Sequence, residues 1–431
     1  MILAHGIGGR SDLPIPLPIL ILGAGGVLVV TFVALGLMWK SPRFQEGPHY
    51  ERPGAVIPTR GLLAVAGVVS LLLVVAQVVV PLAGAEREPI RSTIAPVMVW
   101  VVFWLVVPFA GGLIGDWYTD LNPWRAIART ARLGRGERTG LLDTAGLWPA
   151  SGLFVAFAWF ELVYPSSGDP TMLGVAALAY TTFLVLAMAL VGRETGLAVF
   201  DFFTPYNRVI SAISPLGRDR EGGLVWRGWL RSLPVIPNWP GFWFFAAVMI
   251  GTVTYDGAAG THWFRAITGS LGDSLAGSTF LLVATVNVVA LAYYLACAVA
   301  ARLDPGVRQT REVAQRFAHT LVPIGLAYAV SHYLTLIVFE GQQIVAALSD
   351  PFGMGWDLFG TADYRVEFFI RSSTPIWLAQ VAFIVGGHLV GVVLAHDRSL
   401  QDFGRDAARS QYAMLALMIA LTSLGLLILS G

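Results

Sequence analysis

Residues 327–343, AYAVSHYLTLIVFEGQQ, place ionisable side chains inside a run that is otherwise apolar enough to cross a membrane. Such groups are costly in a bilayer core, and they commonly mark a proton or ion pathway or a binding site. One helical face of this run is polar, and it carries Tyr328, His332, Thr335 and Gln343. That spacing predicts a face that meets protein or water rather than lipid. His332 is expected roughly 5 Å outside the middle of the membrane, with Glu340 near the outer surface.

A second polar set lies in the next apolar run. Its small-residue stripe of Gln380, Gly387 and Gly391 is typical of a helix that admits a close neighbour, and His388 is expected near the mid-plane. Asp256 ends an earlier apolar run and is predicted to join Glu340 at an outer polar site. His5, in the N-terminal tail, either folds back onto the outer mouth of the bundle or belongs to a disordered tail.

These groups are compatible with three kinds of chemistry. His332, His388 and His5 are candidate ligands of a divalent metal ion, with Asp256 and Glu340 as carboxylate partners. The same groups, with Tyr328, are candidates for a proton relay. They could instead form only interhelical hydrogen bonds, each worth about 1 kcal/mol or less. On upright helices, His332 and His388 would differ in depth by about 10 Å.

The composition identifies the class of protein that must position these residues. Of 431 residues, 56% are hydrophobic and only 13% are charged, and the mean hydropathy is +0.68. Such a balance is typical of a polytopic membrane protein. The net charge of +1 gives no indication of nucleic-acid binding, and the single Cys297 excludes an intramolecular disulfide. We therefore predict an all-α transmembrane helix bundle that forms one domain over 1–431.

Ten apolar runs approach the ~20 residues that a bilayer core requires. They are 18–38, 61–82, 94–115, 147–165, 171–191, 241–256, 278–301, 317–340, 374–395 and 411–430. The sixth is the shortest and the weakest. Alternate loops hold 22 of the 28 basic residues. By the positive-inside rule those loops, which include 116–146 and 192–240, are cytoplasmic and both termini are outside. The expected location is the cell membrane.

Two of the cytoplasmic loops begin alike, with DLNPW at 120–124 and FFTPY at 202–206. Asn or Thr before Pro is typical of a helix start, because the side chain caps free amides and proline has none. Each loop is predicted to form a short helix on the membrane surface, over 122–133 and 205–214. The predicted anchors at lipid headgroup depth are Trp124, Arg125, Arg129, Tyr206 and Arg208. The likeness of the two loops is also compatible with a diverged duplication.

The outer side carries two unusual segments. Residues 1–17 form a Gly- and Pro-rich tail, and the apolar run after it lacks the charged start and cleavage site of a secretory signal. Residues 345–373 are aromatic and acidic, which favours a lid on the outer surface over a loose linker.

Several motifs resemble one family. LAHGIGGRSDLPIPLP at 3–18, GDWYTDLNPWR at 115–125, VTYDG at 253–257, the SHYL segment and GGHLVGVVLAHDRSL at 386–400 carry the likeness. Together they resemble actinobacterial multi-pass membrane proteins labelled fenitrothion hydrolase-like, over nearly the whole chain. The resemblance implies hydrolysis of an organophosphate triester, which a metal-activated water would assist. It implies no particular catalytic residues.

Two other functions fit the same residues. Transport of a metal ion, a proton or a small solute would explain histidines at staggered depths. A non-catalytic subunit or assembly factor of a membrane complex would need no chemistry from them. The expected partners are the lipid bilayer and either a membrane-complex partner or further copies of the chain.

Overall fold

The computed structural model describes residues 15–47, 60–85, 87, 93–134, 136–138, 140–218, 223–303, 309–368 and 374–431. Over these ranges the chain is almost entirely α-helical, as predicted, with one small two-stranded sheet. Nine helices in the described part are long and apolar enough to cross a membrane. The chain is therefore an all-α, multi-pass membrane protein.

The principal helices are α1 (Leu17–Met38), α2 (Arg60–Leu82), α3 (Ile94–Ile114), α4 (Pro123–Thr130), α5 (Trp148–Leu162), α6 (Pro170–Val191), α7 (Arg193–Phe200), α8 (Phe203–Ser211), α9 (Phe242–Ala259), α10 (Leu275–Ala301), α11 (Thr310–Val338), α12 (Thr374–Phe403) and α13 (Tyr412–Leu429). Short helical segments lie at Tyr118–Leu121, Gly140–Ala145, His262–Thr268, Gly269–Asp273, Glu340–Gln342, Gln343–Ser349, Gly404–Asp406 and Ala407–Ser410. Strands β1 (Leu216–Arg218) and β2 (Leu224–Trp226) pair antiparallel, with Gly217 opposite Val225.

The weakest apolar run forms the central helix of the bundle. In α9, 78% of the apolar window is buried inside the protein, against 17% in α1. Its mean hydropathy is 1.2, the lowest of the nine. A helix surrounded by other helices can carry polar residues such as Thr252 and Thr254, which do not face lipid and whose hydroxyls donate to carbonyl oxygens one turn earlier in their own helix.

The fourth predicted span, 147–165, is the one that differs most from the prediction. Helix α5 has 15 residues, so it is about 22 Å long, whereas a bilayer core is about 30 Å thick. The helix ends at Leu162, and Pro165 and Gly168 follow. Proline disfavours helical conformation in the residue before it, which explains the early end.

The small-residue stripe of α12 packs against α11. A Cβ atom added at Gly387 would lie 2.4 Å from the Cβ of Ala327 and 2.9 Å from the carbonyl oxygen of Pro323. Further along, Gln380 and Ser331 exchange two side-chain to backbone hydrogen bonds of 2.9 and 3.0 Å. The close neighbour predicted from the glycines is therefore present, and it is α11.

The two similar loops do form short helices, α4 and α8, and they meet each other. Asn122 caps α4 as predicted, since its Oδ1 accepts from the amide of Arg125 at 2.9 Å. The start of α8 differs, because Asp201 accepts from the amide of Phe203 at 3.0 Å and begins the helix before Thr204. Asn122 Nδ2 then donates to Thr204 Oγ1 at 3.2 Å, which joins the two loops.

The predicted anchor role of the two aromatic residues is wrong. Trp124 and Tyr206 are only 4% and 3% exposed, so neither reaches a lipid headgroup. Trp124 donates to Thr181 Oγ1 at 3.0 Å, and Tyr206 stacks on Trp104 with ring centroids 5.1 Å apart. The sequence pattern shows an aromatic beside basic residues, but it does not distinguish a lipid surface from a neighbouring helix.

The predicted basic anchors are more exposed. Arg125 pairs with Glu194 of α7 at 2.6 Å, and the guanidinium of Arg208 lies 4.7 Å from the ring centroid of Trp239. Arg129 is exposed. At the same end of the bundle, burial raises the pKa of Asp201, although hydrogen bonds from Thr204, Tyr180 and the amide of Phe203 lower it.

The described part of the predicted lid, 345–368, begins in the short helix Gln343–Ser349 and continues as a loop with its own hydrogen bonds. Asp350 accepts from the amides of Met354 and Gly355 at 2.9 and 2.8 Å. The carbonyl oxygen of Pro351 accepts from Gln77 at 3.0 Å and from the amide of Ile94 at 3.1 Å. These contacts hold the loop against α2 and α3.

Candidate functional site

The opening stretch of the sequence forms a site between α9 and α11. One carboxylate oxygen, Asp256 Oδ2, lies 2.9 Å from His332 Nε2 and 2.8 Å from the hydroxyl of Tyr333. The two contacts share a single oxygen. We call these three residues the Asp256 cluster.

The cluster is largely shielded from solvent. The side chains of His332 and Asp256 are 12% and 16% exposed, and Tyr333 is 1% exposed. The ring of His332 packs edge-on against that of Tyr333, with centroids 4.7 Å apart. A Cβ atom added at Gly257 would lie 2.5 Å from Ile428 Cγ2 of α13 and 3.4 Å from His332 Cε1, so the lack of a side chain there lets α13 approach α9 closely beside the cluster.

Two further groups surround the Asp256 cluster. Glu161 of α5 is 5% exposed, and its carboxyl group is close enough to Asp256 to interact with it electrostatically. The hydroxyl of Tyr328 lies near Thr254 of α9, and a Cβ atom added at Gly425 of α13 would lie 3.8 Å from its Cε2. The site therefore draws on four helices: α5, α9, α11 and α13.

The other predicted site residues lie apart from this cluster. Glu340 contacts Gln343, three residues further along the chain, so Asp256 pairs with His332 instead of joining Glu340. His388 is 3% exposed, and its Nδ1 lies 2.8 Å from the carbonyl oxygen of Ile384 on its own helix. His5 lies outside the described residues.

The residues present do not fit the predicted metal site. Within the described ranges, no three His, Cys, Asp or Glu side chains converge as a set of metal ligands. His332 is bonded to Asp256, whereas His388 has its own backbone partner. A divalent ion usually needs three or more protein ligands in a catalytic site, which these two separately bonded histidines do not provide.

The sequence interpretation missed Tyr333 and the role of Glu161. Tyr333 belongs to the SHYL segment, and it follows His332 directly. Neighbouring residues of a helix point in different directions. Asp256 reaches both His332 and Tyr333 only because of the way α9 packs against α11. Glu161 lies near the end of an apolar run, a position that does not by itself distinguish a membrane-interface residue from a buried one. Nothing in the sequence around the end of α5 indicates that Glu161 is buried.

Apart from the Asp256 cluster, a cavity of about 400 Å³ lies between α2, α3, α5 and α6. Almost all of its lining is apolar, and it includes Trp100, Phe103, Leu153, Phe157, Phe160 and Tyr180. This size is in the range of small-molecule sites. The lining offers few polar groups that could orient a ligand or take part in chemistry.

Comparisons with known proteins do not extend this description. No family model matches the chain, and no similar curated protein or solved structure was found.

Proposed function

We propose that the protein binds and passes on protons at the Asp256 cluster, as part of membrane transport. The observation that carries this proposal is the contact of one Asp256 oxygen with both His332 and Tyr333, inside a helix bundle. Ionisable groups at such depth are costly and are typical of proton and ion pathways.

The contact between Asp256 and His332 has two proton arrangements. In one, a doubly protonated imidazolium donates its Nε2–H to an ionised carboxylate. In the other, a protonated carboxyl donates to the bare Nε2 of a neutral imidazole, which keeps its hydrogen on Nδ1. Moving a single proton along the 2.9 Å contact interconverts them. Tyr333 donates to the same oxygen in either case, so it holds the carboxyl group in place.

Glu161 adds a second carboxyl group to this environment. Two carboxylates in a poorly solvated site repel each other when both are ionised, so such a pair tends to retain one proton. Within the described residues, the Glu161 carboxyl group accepts no hydrogen bond, and it interacts with Asp256 electrostatically. This arrangement favours a site that stores a proton and releases it to the imidazole.

A second candidate function rests on the resemblance to fenitrothion hydrolase-like proteins. A histidine bonded to a carboxylate is also the arrangement of a general base, which activates water for attack on an ester. In this version His332 Nδ1 faces the substrate and Asp256 orients the ring. The phosphotriester would be cleaved without a metal held by the described residues.

The experiment compares proton binding in variants of the full chain in lipid vesicles. Infrared difference spectra between acid and neutral pH report carboxyl groups that gain or lose a proton. We expect Asp256→Asn to remove one carboxyl band, and Tyr333→Phe to shift it because the phenol no longer donates. A dye-reported proton flux should fall at least about tenfold in His332→Gln, the scale of a lost proton-transfer partner.

His262→Gln is the matched control, because His262 is an exposed histidine on the short helix that follows α9. Spectra and flux that are the same in Asp256→Asn and in the control would rule out the relay. Release of nitrophenolate from a nitrophenyl phosphotriester, lost in His332→Gln, would instead support the hydrolase.

A further inference from the structure

A second polar site lies at the arginine-rich end of the bundle, away from the Asp256 cluster. It is a cavity of about 160 Å³ between the 233–238 segment and helices α9, α11 and α12. Its polar lining residues are Asn238, Gln315, Arg316, His319 and Arg398. A buried water needs only a few tens of Å³, so the cavity has room for a small ion.

His319 presents an unused acceptor at this cavity. Its side chain is 3% exposed, and Nδ1 lies 3.0 Å from the carbonyl oxygen of Arg316. A carbonyl only accepts, so Nδ1 carries the hydrogen. In the neutral ring Nε2 is then an acceptor. Among the described residues Nε2 has no hydrogen-bond partner, although it is buried.

Arg398 presents an unused donor. Its two terminal nitrogens donate to the carbonyl oxygen of Pro234 and to Gln401 Oε1, each at 2.8 Å. Its Nε–H is buried and lacks a partner in the described part of the chain. A buried donor without a partner costs about 1–3 kcal/mol, so a site that keeps one is expected to have an occupant.

The charge of the cavity is positive. Arg316 forms a two-point ion pair with Asp402, whose side chain is 2% exposed. The carboxylates that interact with Arg398 are Asp402 and Asp397. Asp397 is itself occupied by donors of the 39–45 segment. Among the described residues, no carboxylate pairs with Arg398 alone. Its positive charge therefore favours the binding of an anion in the cavity.

We infer that this cavity binds a small oxyanion that retains one O–H group, of the hydrogenphosphate or singly protonated phosphomonoester type. Its oxygens accept from Arg398, while its O–H donates to His319 Nε2. Sulfate has the same shape and charge range but no O–H group at neutral pH. The pairing of a buried acceptor with a buried guanidinium therefore selects phosphate over sulfate.

Calorimetric titration of the purified full chain tests this inference with two probes at pH 8, inorganic phosphate and sulfate. We expect phosphate to bind, and sulfate to bind at least about tenfold more weakly, because it leaves the histidine acceptor unpaired. Titration with a short-chain, water-soluble phosphatidate at pH 6, where about half of the headgroups retain an O–H group, forms a second arm. Binding in that arm alone would assign the phosphomonoester to a lipid headgroup.

Two variants and one control complete the test. Arg398→Gln removes the guanidinium, and Asn238→Trp fills the cavity from an exposed position, which keeps the fold intact. Both are expected to weaken phosphate binding at least about tenfold. Arg405→Gln removes an exposed arginine nearby and should bind as the unmodified chain does. Equal binding of sulfate and phosphate, normal binding by both variants, or no binding in either arm would overturn the inference.

Discussion

The polar AHDR motif of α12 has a structural role, which Asp397 provides through its hydrogen bonds. Asp397 is fully buried, and it accepts from Trp39 Nε1 at 3.2 Å, the amide of Arg43 at 2.6 Å and Gln45 Nε2 at 2.7 Å. One carboxylate thus ties the segment after α1 to the C-terminal part of α12. The neighbouring His396 supports the same junction through the carbonyl oxygen of Trp39 at 3.1 Å.

Replacing Asp397 with alanine is expected to destabilise the fold by about 3 kcal/mol, because buried donors lose their acceptor. Thermal unfolding in detergent would measure the change. Asp406→Ala is the control, since its side chain is 44% exposed and its contact with Arg409 is 3.9 Å long. An equal loss in the two variants would contradict the structural role of Asp397.

A pH-dependent contribution is expected from Glu137. Burial raises its pKa, but hydrogen bonds from the amides of Thr195 and Glu194 outweigh this and hold the pKa below its usual value. The carboxylate thereby caps the first turn of α7. This stabilisation is present above about pH 4.3, the ordinary value for Glu. It is lost as the pH falls through the lowered pKa.

The measurement is the thermal midpoint of Glu137→Gln at pH 7 and at pH 3. We expect the variant to unfold earlier than the unmodified chain at pH 7, and the difference between them to be smaller at pH 3, because the stabilisation is lost as the pH falls through the lowered pKa. Asp143→Asn, at an exposed position, controls for the loss of a charge. A difference that persists unchanged at pH 3 would show that the cap does not depend on ionisation.

The sequence predicted which residues belong to the site better than it predicted which of them pair with each other. Ionisable side chains in apolar runs identified His332 and Asp256, because their cost in lipid requires an explanation. Their direct pairing depends on how α9 packs against α11, which no local spacing encodes. His388 shows the converse, since a backbone carbonyl on its own helix satisfies one ring nitrogen.

At the scale of helices, two adjacent glycines of α12 provide a matched comparison. Gly386 has nothing within 4 Å of an added Cβ, whereas at Gly387 the added Cβ would lie 2.4 Å from Ala327. We expect Gly387→Ala to destabilise the protein by about 1–3 kcal/mol through overpacking. Gly386→Ala should be neutral or slightly stabilising, since alanine favours a helix. Thermal unfolding of the two variants side by side would decide this, and equal midpoints would refute the close contact.

The helices themselves were largely predictable, because a bilayer requires long apolar runs and internal backbone hydrogen bonding. Nine of the ten predicted runs contain such helices. Two helices, α9 and α5, differ from the prediction, and each difference has a physical cause. Helix α9 was the weakest run because it is surrounded by protein, and α5 is short because helix-breaking residues follow it. Hydropathy reports contact with lipid, so it ranks a central helix low.

At the scale of the whole molecule, one pair of labels tests the topology. Between Arg129 and Arg365 the chain passes through α5, α6, α9, α10 and α11. Five crossings place the two positions on opposite sides of the membrane, whereas four, without α5, place them on the same side. We predict five crossings, with position 129 inside.

Arg129→Cys and Arg365→Cys provide this measurement in intact cells, because both positions are exposed and Cys297 is buried. An impermeant thiol reagent is expected to label position 365 and to leave position 129 unlabelled until the cells are opened. Labelling of both positions in intact cells would mean that α5 does not cross.

The shortness of α5 also concerns the lipids around the protein. A helix about 8 Å shorter than the bilayer core forces the adjacent leaflets to thin, at a cost of fractions of a kcal/mol per Å. Gly152 and Ala156 are exposed on this helix. Their small side chains do not cover the difference between the helix length and the bilayer thickness. Lipids with short acyl chains relieve that cost. We therefore expect the face of the protein that bears α5 to collect such lipids, and the reconstituted protein to be most stable in thin membranes.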